Sequence, residues 1–251
     1  MMYLVFFMLG LFVGRILHII IKCLTEQKNF FSCSWRHHRH LRPYFFDLLL
    51  SIVAKTPSSE SCRYCCSLFS LRKLIEELLT SFLFIQCFAI FGSSVHLFKG
   101  LLFTSFLIVI SFIDYDTSLI YDKVLLPMAV IGATLNIIIG KIMLIDMFSA
   151  AMFGGLIFLM VAIIGKDGFG GGDIKFMACI GLWLGISHTI LAIFLSFILG
   201  GTVAAFLIAF KIKTISDKFP YGPYIALASF ITLLYGDSII SWYWKWAFMV
   251  K

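Results

Sequence analysis

Charged residues are scarce in this sequence. Asp, Glu, Lys and Arg make up 13% of its 251 residues, whereas hydrophobic residues make up 61%. A soluble domain of this size carries about 25% charged residues. The surface of a water-soluble domain cannot be built from so few polar side chains, so most of the apolar residues must face lipid. The composition therefore predicts a membrane protein and excludes a soluble domain.

The sequence also lacks the features of a cleaved signal peptide. The first apolar run, residues 3–21, has no basic leader before it and no small-residue cleavage site after it. We expect a permanent first helix and, from the apolar runs of about 20 residues, an all-α polytopic membrane protein with about eight transmembrane helices. Residues 1–251 are then a single membrane-embedded domain. The predicted spans are 3–22, 76–94, 98–114, 123–140, 144–165, 174–187, 189–210 and 221–242.

Lys and Arg are distributed unevenly between the predicted loops. Residues 23–73 contain eight of them: Lys28, Arg36, Arg39, Arg42, Lys55, Arg63, Arg72 and Lys73. Because cytoplasmic loops carry the excess of Lys and Arg, this segment is predicted to be a basic cytoplasmic insert between the first two helices. Alternation of the spans then places the loops 114–123 and 165–175 on the same cytoplasmic face. In a membrane protein the location of the charges matters more than the net charge, which is +7 here. We therefore expect contact with the lipid bilayer and no nucleic acid.

Two acidic segments lie at the cytoplasmic ends of predicted spans. The first contains Asp114 and Asp116, and a solvated helix end is the ordinary explanation for such residues. The second is a glycine-rich run that ends at Asp173, with glycine in four of the five positions from 168 to 172. Acidic residues at membrane depth are usually functional. Irregular backbone there is tolerated only beside protein or a water-filled cavity.

A flexible loop and a phosphate-binding loop are alternative interpretations of the glycine-rich run. A phosphate loop would follow a strand and end in Gly-Lys-Ser/Thr, and both features are absent. The predicted topology instead brings Asp114 and Asp173 to one face. Two carboxyl groups held close together cannot both ionise easily, so one keeps its proton while the other can activate water. This arrangement is typical of aspartyl proteases.

Three segments carry a family resemblance: the Asp114 segment, the run Gly-Phe-Gly-Gly-Gly-Asp-Ile-Lys at 168–175, and Phe-Pro-Tyr-Gly-Pro at 219–223. Together they resemble the type IV prepilin peptidases, which are membrane aspartyl proteases of bacteria. The resemblance implies that Asp114 and Asp173 are the catalytic pair, with Asp116 and Asp122 as helix-cap or solvent-facing neighbours. It also implies an active-site loop that contains Gly168, Gly170, Gly171, Gly172 and Lys175.

The resemblance implies the substrate and the cellular location as well. The substrates are prepilins and pilin-like secretion proteins, which have a short basic leader that is removed after a glycine. The enzyme is expected in the bacterial inner membrane, with its active site at the cytoplasmic face and no cofactor for hydrolysis. Many members also methylate the new N-terminus with S-adenosylmethionine. Glu76 and Glu77 are candidates for contact with the basic leader.

The sequence departs from the family pattern in its N-terminal half, which the family associates with methyl transfer. Only one of two Cys-x-x-Cys pairs is present, so a tetrahedral zinc site would be formed by Cys33, Cys62, Cys65 and one histidine, with His37 as the first candidate and His38 or His40 as alternatives. Free thiols or a lost site are the alternatives, and a disulfide is disfavoured in a reducing compartment. In the first helix, Arg15 and His18 stand where the family has Ser and Asn. Arg15 is costly within a span unless it is paired.

Two other kinds of protein compete with a peptidase. An ion-coupled transporter also uses broken helices and buried acids, but its coupling sites lie near the bilayer midplane. Asp114 and Asp173 lie instead at predicted span ends. A catalytically inactive assembly scaffold would be indicated by loss of one aspartate, and both are present.

Overall fold

A computed structural model describes residues 1–25, 71–139, 142–165, 170–212 and 219–248. All regular secondary structure in these ranges is helical. The eight helices are α1 (Met2–Thr25), α2 (Leu71–Phe91), α3 (Val95–Thr117), α4 (Asp122–Ile139), α5 (Leu144–Ile164), α6 (Gly171–Leu184), α7 (Ile186–Ala209) and α8 (Gly222–Phe248). The predicted insert at 23–73 lies mostly outside the described residues.

Seven of these eight helices are long and apolar enough to cross a membrane. The exception is α6, whose 14 residues extend about 21 Å at 1.5 Å per residue. The hydrocarbon core of a bilayer is about 30 Å thick. The sequence predicted a short sixth span at 174–187, and a short helix is present there, but it is below the length that crosses a membrane. The prediction of an all-α, multi-pass membrane protein is confirmed.

Helix α3 occupies the middle of the bundle. It packs against α1, α2, α4 and α8. Over its span 56% of the residues are buried, against 22% for α1, whose apolar side chains face outwards. The helix that carries Asp114 is thus enclosed by protein, and the outer helices meet the lipid.

Helix α6 is wedged between α4, α5 and α7. The fully buried Trp183 donates a hydrogen bond from Nε1 to the carbonyl oxygen of Met128 on α4, at 2.9 Å. On the other side, Gly181 allows close contact with α5, since a Cβ there would lie 2.6 Å from the backbone of Ala150. A sharp turn at Gly185, with φ of +77°, leads directly into α7. These contacts fix the helix that carries Asp173.

Several helices extend further than the hydropathy pattern indicated, among them α2 and α3. Helix α2 begins at Leu71 rather than at residue 76, and α3 continues to Thr117 rather than ending at 114. The additional residues include Arg72 and Asp116, which form an ion pair with each other. Paired charges can remain in a helix at membrane depth, whereas the prediction ended each span where a charge appeared.

The close approach of α6 and α5 predicts the effect of adding one methyl group. Gly181→Ala should destabilise the protein by about 1–3 kcal/mol, because the backbone of Ala150 cannot move aside easily. Gly201→Ala is the matched control within α7, since nothing lies within 4 Å of its added Cβ. Thermal unfolding in one detergent should show a lower Tm for Gly181→Ala alone. Equal Tm values for the two variants would contradict this packing.

Candidate active site

Asp114 lies in the last two turns of α3 and is almost fully buried, with 4% of its surface exposed. The backbone N–H of Gly222, at the start of α8, donates a hydrogen bond to Asp114 Oδ2 at 2.8 Å. A Cβ on residue 222 would itself lie 2.8 Å from this oxygen. The contact between α3 and α8 therefore requires glycine at this position.

Tyr221 holds the segment before α8 in place. Its hydroxyl group donates a hydrogen bond to the carbonyl oxygen of Ser196 on α7, at 2.7 Å. Its ring packs on Gly200, where a Cβ would lie only 2.2 Å from the ring. The Phe-Pro-Tyr-Gly-Pro segment thus fixes the Gly222 N–H beside Asp114. The sequence analysis used this segment for the family resemblance but did not identify Gly222 as a site residue.

Asp173 lies in the first turn of α6 and has 8% of its surface exposed. The N–H of Gly170 donates to Asp173 Oδ2 at 3.1 Å, and the N–H of Asp173 donates back to the Gly170 carbonyl oxygen at 3.0 Å. The other carboxyl oxygen, Oδ1, is buried and has no hydrogen-bond partner among the described residues.

The structure brings Asp114 and Asp173 together at one end of the bundle, which we call the aspartate end. The charge of Asp114 acts on the carboxyl group of Asp173. Both side chains are buried, so neither charge is well screened by water. Such a pair favours one ionised and one protonated carboxyl, which is the state that general acid–base chemistry requires.

The glycines before Asp173 have different environments. Gly172 lies against Ile120, since a Cβ there would be 2.8 Å from the Cβ of Ile120. It therefore lets the loop after α3 pack onto the start of α6. Gly171 has nothing within 4 Å of its added Cβ and faces open space. Gly168 lies outside the described residues.

Lys175 lies two residues after Asp173 on α6 and contacts Asp122 at the start of α4. Its Nζ donates to Asp122 Oδ1 at 2.9 Å and to Oδ2 at 2.8 Å. Both side chains are more than half exposed. Asp122 is therefore solvent-facing, as expected. An exposed pair of this kind contributes little to stability, and it links α4 to the end of α6 that carries Asp173.

Asp116 lies in the last turn of α3 and is an exposed residue, as expected, but its carboxyl group has a specific partner. Its side chain alone is 16% exposed and is ion-paired with Arg72 of α2. Residues two positions apart in a helix point about 200° apart, so Asp116 faces α2 when Asp114 faces α8. Of the two aspartates, only Asp114 lies where it interacts with Asp173.

Glu76 and Glu77 are also placed differently from the expectation. They have 0% and 3% of their surfaces exposed. Glu76 pairs with His18 and Arg72, and Glu77 pairs with Arg15 at 3.1 Å. These contacts explain how Arg15 is accommodated in a span. Neither glutamate is accessible to a basic leader.

The predicted zinc ligands Cys33, His37, Cys62 and Cys65 all lie outside the described residues. Within the ranges that the structure describes, no cluster of three or more His, Cys, Asp or Glu side chains is suited to a metal. Cys87 and Cys179 are buried free thiols, and Cys23 is also buried.

Comparison with known proteins gives results that agree with this site. Residues 101–205, which include both aspartates, match the sequence profile of the type IV leader peptidase family. A prepilin leader peptidase/N-methyltransferase of Aeromonas hydrophila is 34% identical over 187 residues, which make up 72% of this chain and 64% of that protein. The protein of the same name in Bacillus subtilis is 32% identical over 203 residues, covering 79% of this chain and 80% of its relative.

A third relative of that name, from Pseudomonas aeruginosa, is 31% identical over 212 residues, which are 82% of this chain and 72% of the relative. No solved structure matches the chain. The helical bundle and its buried pair of carboxyl groups define a multi-pass membrane protein with an aspartyl-type site. The chain belongs to the type IV leader peptidase family. It spans 64% of the length of the Aeromonas relatives that it matches.

The contact between Gly222 and Asp114 predicts a local sensitivity to substitution. In Gly222→Ala the added methyl group would displace the Asp114 carboxyl, and a displacement of about 1 Å can cost on the order of 100-fold in rate. Gly171→Ala is the control at the same end of the bundle, because its added Cβ meets open space. We expect cleavage of a prepilin to fall sharply in Gly222→Ala and to continue in Gly171→Ala. Wild-type cleavage by Gly222→Ala would show that this contact is not required.

Proposed function

We propose that this chain is a membrane aspartyl endopeptidase that removes the short basic leader from prepilins or pilin-like proteins. The observation that carries the proposal is the pair of buried carboxyl groups, Asp114 on α3 and Asp173 on α6, at one end of the bundle. Membership of the type IV leader peptidase family and the names of the relatives support the same substrate class.

The two aspartates have different surroundings, and these suggest different roles. Asp114 Oδ2 accepts a hydrogen bond from the Gly222 N–H, which favours the ionised form. Asp173 also accepts a backbone hydrogen bond, from Gly170, but its oxygen Oδ1 is buried without a partner among the described residues, and the carboxyl group lies within electrostatic reach of Asp114. Asp114 is thus the base that activates water, and Asp173 is the acid that polarises the scissile carbonyl group.

The proposed reaction is hydrolysis through a tetrahedral intermediate. Water adds to the carbonyl carbon, its proton passes to Asp114, and the Asp173 proton moves to the carbonyl oxygen. The C–N bond then breaks while the amide nitrogen takes the proton from Asp114. Asp173 recovers its proton from the hydroxyl group as the new carboxyl group forms. The two aspartates end the cycle in their starting states, and no metal is required.

The proposed location is the bacterial inner membrane, with the aspartate end at the cytoplasmic face. The support is the excess of Lys and Arg in the segments that the alternation of the spans assigns to this face. The cleavage site of a prepilin lies next to an apolar helix, so it would reach the bilayer edge where Asp114 and Asp173 lie. Acids at helix ends do not suit the midplane coupling site of a transporter.

Methyl transfer is not part of the proposed reaction. In the N-terminal half, Arg15 and His18 stand where the resemblance expects Ser and Asn. Arg15 forms an ion pair with Glu77, and His18 forms a hydrogen bond with Glu76, between α1 and α2. These contacts lie in the half of the chain that the resemblance associates with methyl transfer, so the proposed reaction is limited to cleavage of the leader.

Replacement of either aspartate tests the proposal. Asp114→Asn and Asp173→Asn should each lower the cleavage rate by at least about 100-fold, because each removes one member of the acid–base pair. The measurement is the conversion of a prepilin to its shortened form in membranes with matched protein levels.

The control for this test is Asp237→Asn. Asp237 is 85% exposed and lies 15 residues along α8 from Gly222, far from the aspartate end. This variant should cleave at the wild-type rate. Full activity in Asp173→Asn would contradict the mechanism. Loss of activity in all three variants would indicate a general effect of the substitutions rather than catalysis.

A further inference from the structure

Arg72 connects two carboxylates that lie on different helices. It stands in the first turn of α2, and its Nε donates a hydrogen bond to Glu76 Oε1 at 3.0 Å. Its Nη2 donates to Asp116 Oδ2 in the last turn of α3. The guanidinium carbon also lies 5.9 Å from the ring centroid of Phe112, one turn earlier on α3. Arg72 therefore contacts α3 at two points on the same face.

The other end of this connection is firmly held. Glu76 is fully buried, and its second oxygen, Oε2, lies 2.7 Å from Nδ1 of His18 on α1. The helices α1 and α2 pack closely beside this pair, since a Cβ on Gly14 would lie 2.9 Å from the Cα of Glu77. A continuous series of polar contacts thus runs from α1 through Glu76 and Arg72 to Asp116.

This series ends on the turn of α3 that carries Asp114. Asp116 and Asp114 point about 200° apart around the helix. Rotation of the last turn would therefore move Asp116 away from Arg72 and Asp114 away from Gly222 at the same time. The helix ends soon afterwards, at Ser118, whose N–H donates to the Asp114 carbonyl oxygen. Helix ends fray, so a contact that holds the last turn acts on the catalytic aspartate directly.

We propose that Arg72 is a positioning residue for the peptidase reaction: through Asp116 it fixes the rotation of the last turn of α3, and so aims Asp114 at Asp173 and Gly222. The inference deepens the proposed function and rests on it. Arg72 does not contact the substrate or the reacting atoms. Its effect should therefore appear in kcat, while KM for the prepilin is unchanged.

The first test compares kcat and KM of three variants with those of the wild type, per mole of folded protein. The substrate is a purified prepilin that has a basic leader, a glycine and an apolar helix. Arg72→Gln should lower kcat on the order of 10-fold or more, because small displacements of a catalytic group are costly. Arg72→Lys should recover part of the loss, since an ammonium group can pair with Asp116 but cannot span both carboxylates. Lys73→Gln is the control. Lys73 is the adjacent cation, and its Nζ lies 4.0 Å from Glu77.

The variant Asp116→Asn distinguishes an effect on the position of Asp114 from an effect on the stability of the bundle. Arg72→Gln leaves the buried Glu76 with one partner fewer, so it can also destabilise the bundle. Asp116→Asn removes only the charge that holds Arg72 on α3. We expect a lower kcat with unchanged KM in this variant, and no further loss when it is combined with Arg72→Gln. A wild-type kcat in Asp116→Asn, or losses that multiply in the double variant, would overturn the role of Arg72.

Hydrogen exchange of residues 113–118 provides a readout that does not depend on cleavage. Exchange should be faster in Arg72→Gln than in wild type, and unchanged in Lys73→Gln. Equal exchange in wild type and Arg72→Gln would overturn the inference. A wild-type chain that cleaves no prepilin would contradict the proposed function instead, and the two failures are thereby distinguished.

Discussion

The burial of two carboxyl groups in an apolar helix bundle is the constraint that organises this structure. A buried charge is costly unless it is paired or hydrogen-bonded, and an isolated pair of acids would repel. Asp114 is stabilised by a backbone donor at Gly222, and Asp173 by one at Gly170. Each donor requires an irregular segment of chain beside a helix end. The glycine-rich run and the Phe-Pro-Tyr-Gly-Pro segment supply these two segments.

The other acidic groups of the bundle follow the same rule. On α2, the buried Glu77 is paired with Arg15 of α1, and the buried Glu76 is paired with Arg72 of its own helix. Arg72 is also paired with Asp116 of α3. Towards the other end of the bundle, Lys99 donates to Asn136, which donates in turn to carbonyl oxygens at the end of α6. Helix α6 is thus held by polar contacts at both ends. Its position between α4 and α5 is set by Trp183 and Gly181, so Asp173 is carried on a helix with little freedom to move.

Much of this arrangement could be predicted from the sequence. Apolar runs indicate the membrane-spanning helices, and the uneven distribution of Lys and Arg indicates which loops share one side of the membrane. That reasoning was sufficient to bring Asp114 and Asp173 to one face. It could not find Gly222, because a backbone donor has no side-chain signature. It also ended α3 at Asp114, missed the partner of Asp116 and expected Glu76 to be accessible, because a charged residue resembles a solvated helix end until its partners are known.

The central claim is that Asp114 and Asp173 act as one unit that shares a proton. The most direct test is the residual rate of prepilin cleavage in Asp114→Asn, in Asp173→Asn and in the double variant, measured with equal amounts of folded protein. Groups that act as a unit show strongly non-additive losses. The account predicts that the double variant is no slower than the slower single variant. A double variant whose loss equals the product of the two single losses would contradict it, because the two aspartates would then contribute independently.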